Sequence, residues 1–121
     1  MIELEIKVEK LEDVIRFLET APPRIQEKVD EQLGVGAGIV ADQARELAPF
    51  STGYLRSTIG FERQAPLQWN VYAAAHYAKF VEYGTSKMAP KPYMRPALAL
   101  TQSTILALAK LGVQKVFEER G

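Results

Sequence analysis

A long helical pattern from about Pro23 to Leu47 is the feature that most limits how this chain can fold. Apolar residues recur along it at the spacing of one helix face. Proline is favourable in the first turn of a helix, and Pro49 disfavours helical geometry at Ala48, so both ends of the pattern are marked. At about 1.5 Å per residue the helix would be roughly 37 Å long. Any small domain formed by this chain has to contain a helix of that length.

The centre of this predicted helix carries three glycines, Gly34, Gly36 and Gly38. Each glycine inside a helix costs about 0.5–1 kcal/mol relative to alanine. Two explanations are open at this point. Either the glycines allow close approach of another helix or another subunit, or they mark a kink or break in the helix.

Strand patterns lie on both sides of the long helix. From Ile2 to Val8 apolar and charged residues alternate, as in a half-buried strand. Leu11 to Leu18 keeps helical spacing and predicts a short helix that stops before a pair of prolines. Ser57 to Arg63 and Leu67 to Ala73 predict two strands of an antiparallel hairpin with a short connection between them.

A second long helix is predicted from Pro96 to about Glu119. Its apolar residues cover nearly half of the helix circumference, which is more than one core face of a small domain needs. We therefore predict that Leu106, Val113 and Phe117 contact a neighbouring subunit. Deep burial of the same helix within one monomer is the alternative.

These elements follow the order β-α-α-β-β-α, which is typical of an α+β domain whose helices cover one face of a small antiparallel sheet. The sheet would combine the N-terminal strand with the central hairpin and pack against the long central helix and the long C-terminal helix. A length of 121 residues fits a single domain over residues 1–121, without an internal repeat or a linker.

Composition excludes several kinds of functional site. The chain has no cysteine and a single histidine, His76, which excludes a disulfide scaffold, a thiolate metal site and the usual zinc clusters. No local motif places a serine nucleophile at a known catalytic spacing from His76. We therefore predict no catalytic residue, no metal and no cofactor. A signal peptide and an uninterrupted apolar run of about 18 residues are also missing, so no membrane partner is expected.

A structural turn is predicted around Pro49, Thr52, Gly53 and Leu55. Pro49 ends the long helix, and Gly53 can adopt a positive φ angle. Ser51 or Thr52 could cap a brief helical turn that runs through Leu55.

An exposed proline-rich arm is predicted at about residues 84–96. A short helix from Ala74 to Tyr83 precedes it and is closed by Gly84 in a left-handed conformation. The charge around the arm is uneven, because residues 53–95 carry six Lys/Arg against two Asp/Glu, whereas residues 1–52 carry six against eleven. Two interpretations are open: the asymmetry guides head-to-tail contact between copies or contact with an acidic partner, or it reflects solvated faces that happen to segregate.

Cations and tyrosines alternate between residues 77 and 95, a mixture that is also typical of single-stranded nucleic-acid binding. The stretch carries only four cations and the net charge of the protein is zero. We therefore favour the tyrosines as anchors of a protein interface and consider nucleic-acid binding the alternative. Glu82 is expected to pair with Arg56 or Arg95 and, if buried, to position the arm.

Three ordered motifs carry a resemblance to a known family. They are Ala48-Pro49-x-x-Thr52-Gly53-x-Leu55, Tyr77-Ala78-x-x-Val81-Glu82-x-Gly84-Thr85 and Pro92-Tyr93-Met94-Arg95-Pro96-Ala97. In this order and spacing the chain resembles the small neck or tail-completion proteins of long-tailed bacteriophages, which are often described as head-tail joining or minor tail components. That family commonly has phenylalanine where Tyr93 stands.

The resemblance implies a structural, non-enzymatic virion protein that joins the end of the tail tube to the capsid connector and works as an oligomer. Its implied partners are further copies of the chain in a ring, the tail tube or tail terminator, and the head connector proteins. Its implied location is the neck or tail of the virion, and the host cytoplasm during assembly. Thr52, Gly53 and Leu55 would set the turn that leads into the hairpin. The residues of the docking arm would be Tyr77, Glu82, Gly84, Thr85, Lys87, Lys91, Pro92, Tyr93, Arg95 and Pro96.

Two other functions are weighed against this one. The first is a single-stranded nucleic-acid-binding module that uses residues 77–95. The second is a prophage-borne enzyme with His76 in its active site.

Overall fold

Helices and strands of the predicted types follow one another along the chain. A computed structural model describes residues 1–7, 10–50 and 53–119. The elements are β1 (Ile2–Glu5), α1 (Leu11–Leu18), α2 (Pro23–Leu47), α3 (Tyr54–Ser57), β2 (Ile59–Ala65), β3 (Gln68–Ala73), α4 (Ala78–Tyr83) and α5 (Met94–Glu119). The prediction of an α+β fold in β-α-α-β-β-α order is confirmed. Two short helices accompany this order: α3 at the predicted brief turn through Leu55, and α4, which was predicted from Ala74 and begins at Ala78. Val8 and Thr52, which belong to predicted elements, lie outside the described residues.

The three strands form one antiparallel sheet in the order β1-β3-β2. At one end of the sheet Ala73 pairs with both Ile2 and Ile59, and at the other end Gln68 pairs with Ala65. One face of the sheet is covered by α2. Val71 and Ala73 are buried on that face, because alternate residues of a strand point the same way.

Helix α2 is continuous from Pro23 to Leu47, so the three glycines at its centre do not break it. They lie where other parts of the same chain approach closely. A Cβ atom on Gly34 would lie 2.8 Å from the Trp69 ring, and one on Gly36 would lie 3.4 Å from the Ile105 side chain. Close packing, by the sheet as well as by a helix, therefore explains the glycines, and a kink does not.

Helices α2 and α5 run antiparallel and form the largest contact between described helices. Gly36 lies beside Ile105, whereas Gly112 lies against the backbone of Lys28 and Val29. A Cβ atom on Gly112 would come within 2.7 Å of the Val29 Cα atom. Of the two glycines at this helix pair, only Gly112 therefore lies directly against backbone atoms of the other helix.

Helix α5 begins at Met94, two residues before the predicted start at Pro96. Proline is tolerated there because the first N–H groups of a helix have no partner within the helix. By length and composition alone α5 could cross a membrane. Core helices of soluble proteins, which are mostly buried, meet the same test, whereas 28% of the most apolar window of α5 is buried.

The two ends of the sheet are surrounded by different elements. Helix α4 follows the end of β3, and the Ala74 N–H donates to the Thr58 carbonyl, so α3 and α4 lie at the end that holds Ile2 and Ile59. At the opposite end, Leu67 and Gln68 share a cleft with residues of α1. Helix α4 and this cleft therefore lie at opposite ends of the β2-β3 hairpin.

Candidate functional site at the start of the C-terminal helix

The carboxylate of Glu82 on α4 joins α4 to the start of α5. Its side chain is 0% exposed. Oε1 accepts hydrogen bonds from the backbone N–H groups of Tyr93 (2.9 Å) and Met94 (2.8 Å). Oε2 accepts from the backbone N–H of Arg95 and from its Nε, both at 3.1 Å. One buried side chain thus receives four donors.

This arrangement caps the N-terminus of α5 from a distance. The first N–H groups of a helix need an acceptor outside the helix, and a short polar side chain just before the helix usually supplies it. Tyr93 stands at that place and has no such side chain. Glu82 supplies the oxygens instead, and its negative charge also complements the positive end of the helix dipole.

Burial and hydrogen bonding act in opposite directions on the pKa of Glu82. Burial disfavours the charged form, but the N–H groups of Met94, Tyr93 and Arg95, together with the Arg95 side chain, stabilise it. Hydrogen bonding outweighs burial, so the pKa of Glu82 lies below its ordinary value of 4.5. The carboxylate is therefore charged at neutral pH, as the cap requires.

We expect acid to remove this contribution to stability. Because the folded-state pKa of Glu82 is lower than the unfolded value, the contribution is complete above about pH 4.5 and is lost as the pH falls through the folded-state pKa. Urea unfolding between pH 7 and pH 3 should show a steeper loss of stability in the wild type than in Glu82→Gln. Parallel pH profiles for the two proteins would contradict the assignment.

Tyr93 fixes the same junction from the other side. It is 0% exposed, and its hydroxyl donates to the Ala78 carbonyl at 2.9 Å. Burial raises the pKa of Tyr93, and the nearby charge of Glu82 raises it further, so the hydroxyl remains a donor. This residue was predicted as part of an exposed arm, and the structure places it in the core.

The exposed segment, here called the arm, is therefore shorter than predicted and runs from Thr85 to Pro92. Thr85 and Met88 exchange backbone hydrogen bonds, and the Lys91 N–H donates to the Val81 carbonyl at 2.8 Å. Lys87 lies between these anchors and is exposed. The arm is a tight turn held at its base and near its end.

Gly84 starts the arm and has φ 77° and ψ 177°, a conformation that is essentially restricted to glycine. The predicted positive φ is therefore present, although ψ differs from that of a left-handed helical cap. A Cβ atom would lie 2.8 Å from the Met88 carbonyl oxygen and from the Pro90 nitrogen. Both the backbone angle and the space thus require glycine here.

Aromatic side chains, most of them exposed, lie beside the arm. The rings of Tyr54 and Tyr77 are 6.3 Å apart, and the Arg95 guanidinium lies 4.6 Å from the centre of the Tyr83 ring. Phe80, one turn after Tyr77 on α4, is 52% exposed. We call Tyr54, Tyr77, Phe80, Tyr83 and Arg95 the aromatic platform. Aromatic residues next to arginine on a surface are typical of protein interfaces.

The predicted structural turn has two clear features in the described residues. Gly53 has the predicted positive φ, at 81°, and Leu55 is buried. Pro49 is half-buried.

The structure selects one of the two partners predicted for Glu82. Arg95 pairs with it, with Nε 3.1 Å from Oε2. Arg56 instead donates to the Ala48 carbonyl and lies over the Phe50 ring.

The predicted interface residues of α5 differ in exposure. Leu106 and Val113 are half-buried against the core, whereas Phe117 is 61% exposed. On a different face of the helix Leu100 is 64% exposed and Leu111 is also exposed, and neither was predicted as an interface residue. Their spacing of eleven residues, about three helical turns, was the signal that could have identified them.

The only histidine of the chain, His76, lies on the surface. It contacts Tyr77 edge to face, with 5.2 Å between ring centres. The described residues contain no group of three or more His, Asp or Glu side chains that could hold a metal ion. A cleft of about 240 Å³ lies between α1 and the turn that joins β2 to β3, far from His76.

Together, the fold and this site define a small α+β interaction domain, in which a buried carboxylate secures a solvent-exposed turn and an aromatic surface. The chain belongs to the family described as "Bacteriophage HK97-gp10, putative tail-component", whose model matches residues 12–84, more than half of the chain. The match includes α2, Glu82 and Gly84. The family is one of bacteriophage tail components, which are parts of the virion and contact other virion proteins. No curated protein and no solved structure matches the chain.

Proposed function

We propose that this protein completes the tail at the head-tail interface, by binding and not by catalysis, as one subunit of an oligomeric ring. It would stand between the tail tube or tail terminator and the head connector, after assembly in the host cytoplasm. The observation that carries the proposal is the arm from Thr85 to Pro92, which is exposed along its whole length yet anchored to α4. A preorganised turn loses little conformational freedom when it docks on a partner.

The exposed apolar residues of α5 support self-association. Leu100 and Leu111 lie on one face of the helix, and Phe117 lies on another. Apolar side chains on a long helix that stay exposed in one copy are commonly buried between copies. Heterologous contacts of this kind close into a ring when the rotation between neighbours allows it.

Single-stranded nucleic-acid binding is less well supported. The family match concerns a tail component. Tyr93, one of the tyrosines in the predicted binding stretch, is buried with its hydroxyl bound to Ala78 and therefore cannot stack on a base.

A double substitution in the arm tests the joining function. Lys87→Ala with Met88→Ala removes two exposed side chains from the turn and leaves its backbone hydrogen bonds in place. We expect at least about tenfold fewer joined particles when tailless heads and free tails are mixed with the variant, since an interface anchor contributes about 1–2 kcal/mol or more. The matched control is Ser103→Ala on α5. Normal joining by the double variant, with an unchanged melting temperature, would count against an arm-based joint.

Charge introduced on α5 tests the ring. Phe117→Glu and Leu111→Glu place a carboxylate on exposed apolar positions, and we expect each to weaken self-association by about tenfold or more while the melting temperature changes little. Gln114→Glu adds the same charge at an exposed polar position of the same helix and serves as the control. If light scattering gives the wild-type mass for both apolar variants, the role of α5 in assembly is refuted.

A further inference from the structure

The segment that forms the arm and its flanks carries exposed cations and no exposed carboxylate. Between Arg63 and Phe117 the only acidic residue is Glu82, and its carboxylate is buried. The cations at this end of the molecule, Lys79, Lys87 and Arg95, are exposed. Exposed cations of this segment therefore lie next to Phe80 and Tyr83 of the aromatic platform in sequence or in contact, and the segment adds no exposed carboxylate there.

The opposite end of the sheet carries a cleft of the complementary character. Its apolar part includes Ile6, Leu11, Ile15 and Leu67. Exposed carboxylates line it as well, and these are Glu5, Glu12 and Glu19. Two cations, Lys7 and Arg16, are also present, and Lys7 lies 3.7 Å from the Glu5 carboxylate and 4.0 Å from the Glu12 carboxylate. Three carboxylates against two cations leave the lining residues a net charge of −1. We call this site the acidic cleft.

The volume of the acidic cleft, about 240 Å³, is enough for one aromatic side chain with part of its surroundings. The exposed lining of the cleft is more polar than apolar, and Ile15 is its half-buried apolar residue, so an aromatic ring flanked by cations would meet both an apolar contact and carboxylates there. Phe80 and Tyr83, with Lys79 next to Phe80 and Arg95 above the Tyr83 ring, present that combination on one exposed surface.

The two surfaces cannot meet within one molecule. Register places Ile2, Ile59 and Ala73 at the platform end of the sheet, whereas Gln68 lies at the cleft end. The six residues of β3 separate these ends by roughly 20 Å at about 3.3 Å per residue. Complementary surfaces at opposite ends of one chain fit a repeated head-to-tail contact, the type that generates rings.

We propose that the aromatic platform of one copy docks on the acidic cleft of a second copy. The proposal rests on the oligomeric role proposed above and specifies which surfaces meet. The ring of Phe80 or Tyr83 occupies the apolar part of the cleft, and Lys79 faces the carboxylates of α1. Electrostatic attraction between the two ends sets the direction of assembly.

Charge reversal tests the contact in the full chain. Lys79→Glu and Glu12→Lys each place like charges together and should weaken self-association about tenfold in sedimentation velocity. When the two variants are mixed, the reversed platform of one meets the reversed cleft of the other, and opposite charges face each other again. Association of the mixture should therefore recover towards wild type.

A control and a contrary outcome complete this experiment. Glu46→Lys, at an exposed position on α2, changes the net charge as Glu12→Lys does and should associate normally. Equal weakening in the mixture and in the separate variants would overturn the proposal.

The absence of cysteine from the chain allows a second, independent test. His76→Cys lies at the edge of the platform and Gln68→Cys lies at the edge of the cleft, and both positions are exposed. Oxidation of the mixed variants, in solution and in purified tails, should give a disulfide-linked pair. The control mixture of His76→Cys with Glu46→Cys, at an exposed position on α2, should not.

The outcomes separate this inference from the proposed function. No linked pair in solution or in tails, or linkage of the platform cysteine to a different virion protein, overturns the inference. Either of these outcomes can occur while the Lys87 and Met88 variant still fails to join heads to tails. The proposed joining function then stands, and only the contact between platform and cleft is rejected. The opposite result is a disulfide between His76→Cys and Gln68→Cys together with normal head-to-tail joining by the Lys87 and Met88 variant. It would reject the arm-based joint and support the contact between platform and cleft.

Discussion

Replacing Glu82 with glutamine is expected to lower the free energy of unfolding by about 1–3 kcal/mol, the range for buried donors that lose their acceptor, because the Arg95 side chain left behind is 55% exposed. The amide oxygen of glutamine can still accept two hydrogen bonds, but its NH₂ group would face the donors of Arg95. The backbone N–H and Nε of Arg95 would then lose their acceptor, and a donor without an acceptor in the protein interior is destabilising. Urea unfolding at pH 7 measures the difference.

Two further variants make this prediction specific. Glu62→Gln changes an exposed carboxylate on the open face of the sheet and should stay within about 0.5 kcal/mol of wild type. Arg95→Ala removes one of the four donors and keeps the three backbone bonds, so its effect should be smaller than that of Glu82→Gln. A Glu82→Gln protein within about 1 kcal/mol of wild type would show that the capping carboxylate contributes little.

Local sequence signals predicted the bounds of some elements better than others, and α4 begins at Ala78 instead of the predicted Ala74. The bounds of α1 and α2 match the prediction, because helical spacing and flanking prolines both act within a few residues. The first strand of the hairpin begins at Ile59 instead of Ser57. The hydroxyls of Ser57 and Thr58 donate to the carbonyls of Tyr54 and Leu55, so these two residues close α3.

Long-range contacts explain what the sequence did not predict. Asp30 on α2 accepts hydrogen bonds from the Leu67 N–H and from Trp69 Nε1, and pairs with Arg63 at 2.7 Å. It thereby holds the hairpin turn, in which Leu67 has an unusual positive φ of 65°. No local pattern around Asp30 indicates a partner more than thirty residues away.

The candidate site shows the same limit. The pairing of Glu82 with Arg95 was one of two predicted possibilities, since opposite charges near in sequence commonly meet. The three backbone bonds to Glu82 were not predicted, because they depend on how α4 lies against the start of α5. For the same reason the predicted arm extended too far and included the buried Tyr93.

Gly112→Ala is expected to destabilise the protein by about 1–3 kcal/mol, although alanine is the better helix former by about 1 kcal/mol. The added Cβ atom would lie 2.7 Å from the Val29 Cα atom and 2.9 Å from the Lys28 carbonyl oxygen. Both are backbone atoms and cannot rotate away, so α2 and α5 would have to separate. Thermal or urea unfolding of the variant measures the cost.

Gly36→Ala is the matched control, because it adds the same methyl group to the same helix pair. There the nearest atoms belong to the side chains of Ile105, at 3.4 Å, and Leu108, at 3.6 Å, which is ordinary contact distance. The gain in helix propensity should then dominate and raise the free energy of unfolding by up to about 1 kcal/mol. Opposite signs at Gly112 and Gly36 would locate the tight helix crossing at the start of α2. If the two substitutions change the free energy of unfolding equally, the close contact between Gly112 and the backbone of α2 does not determine the helix spacing.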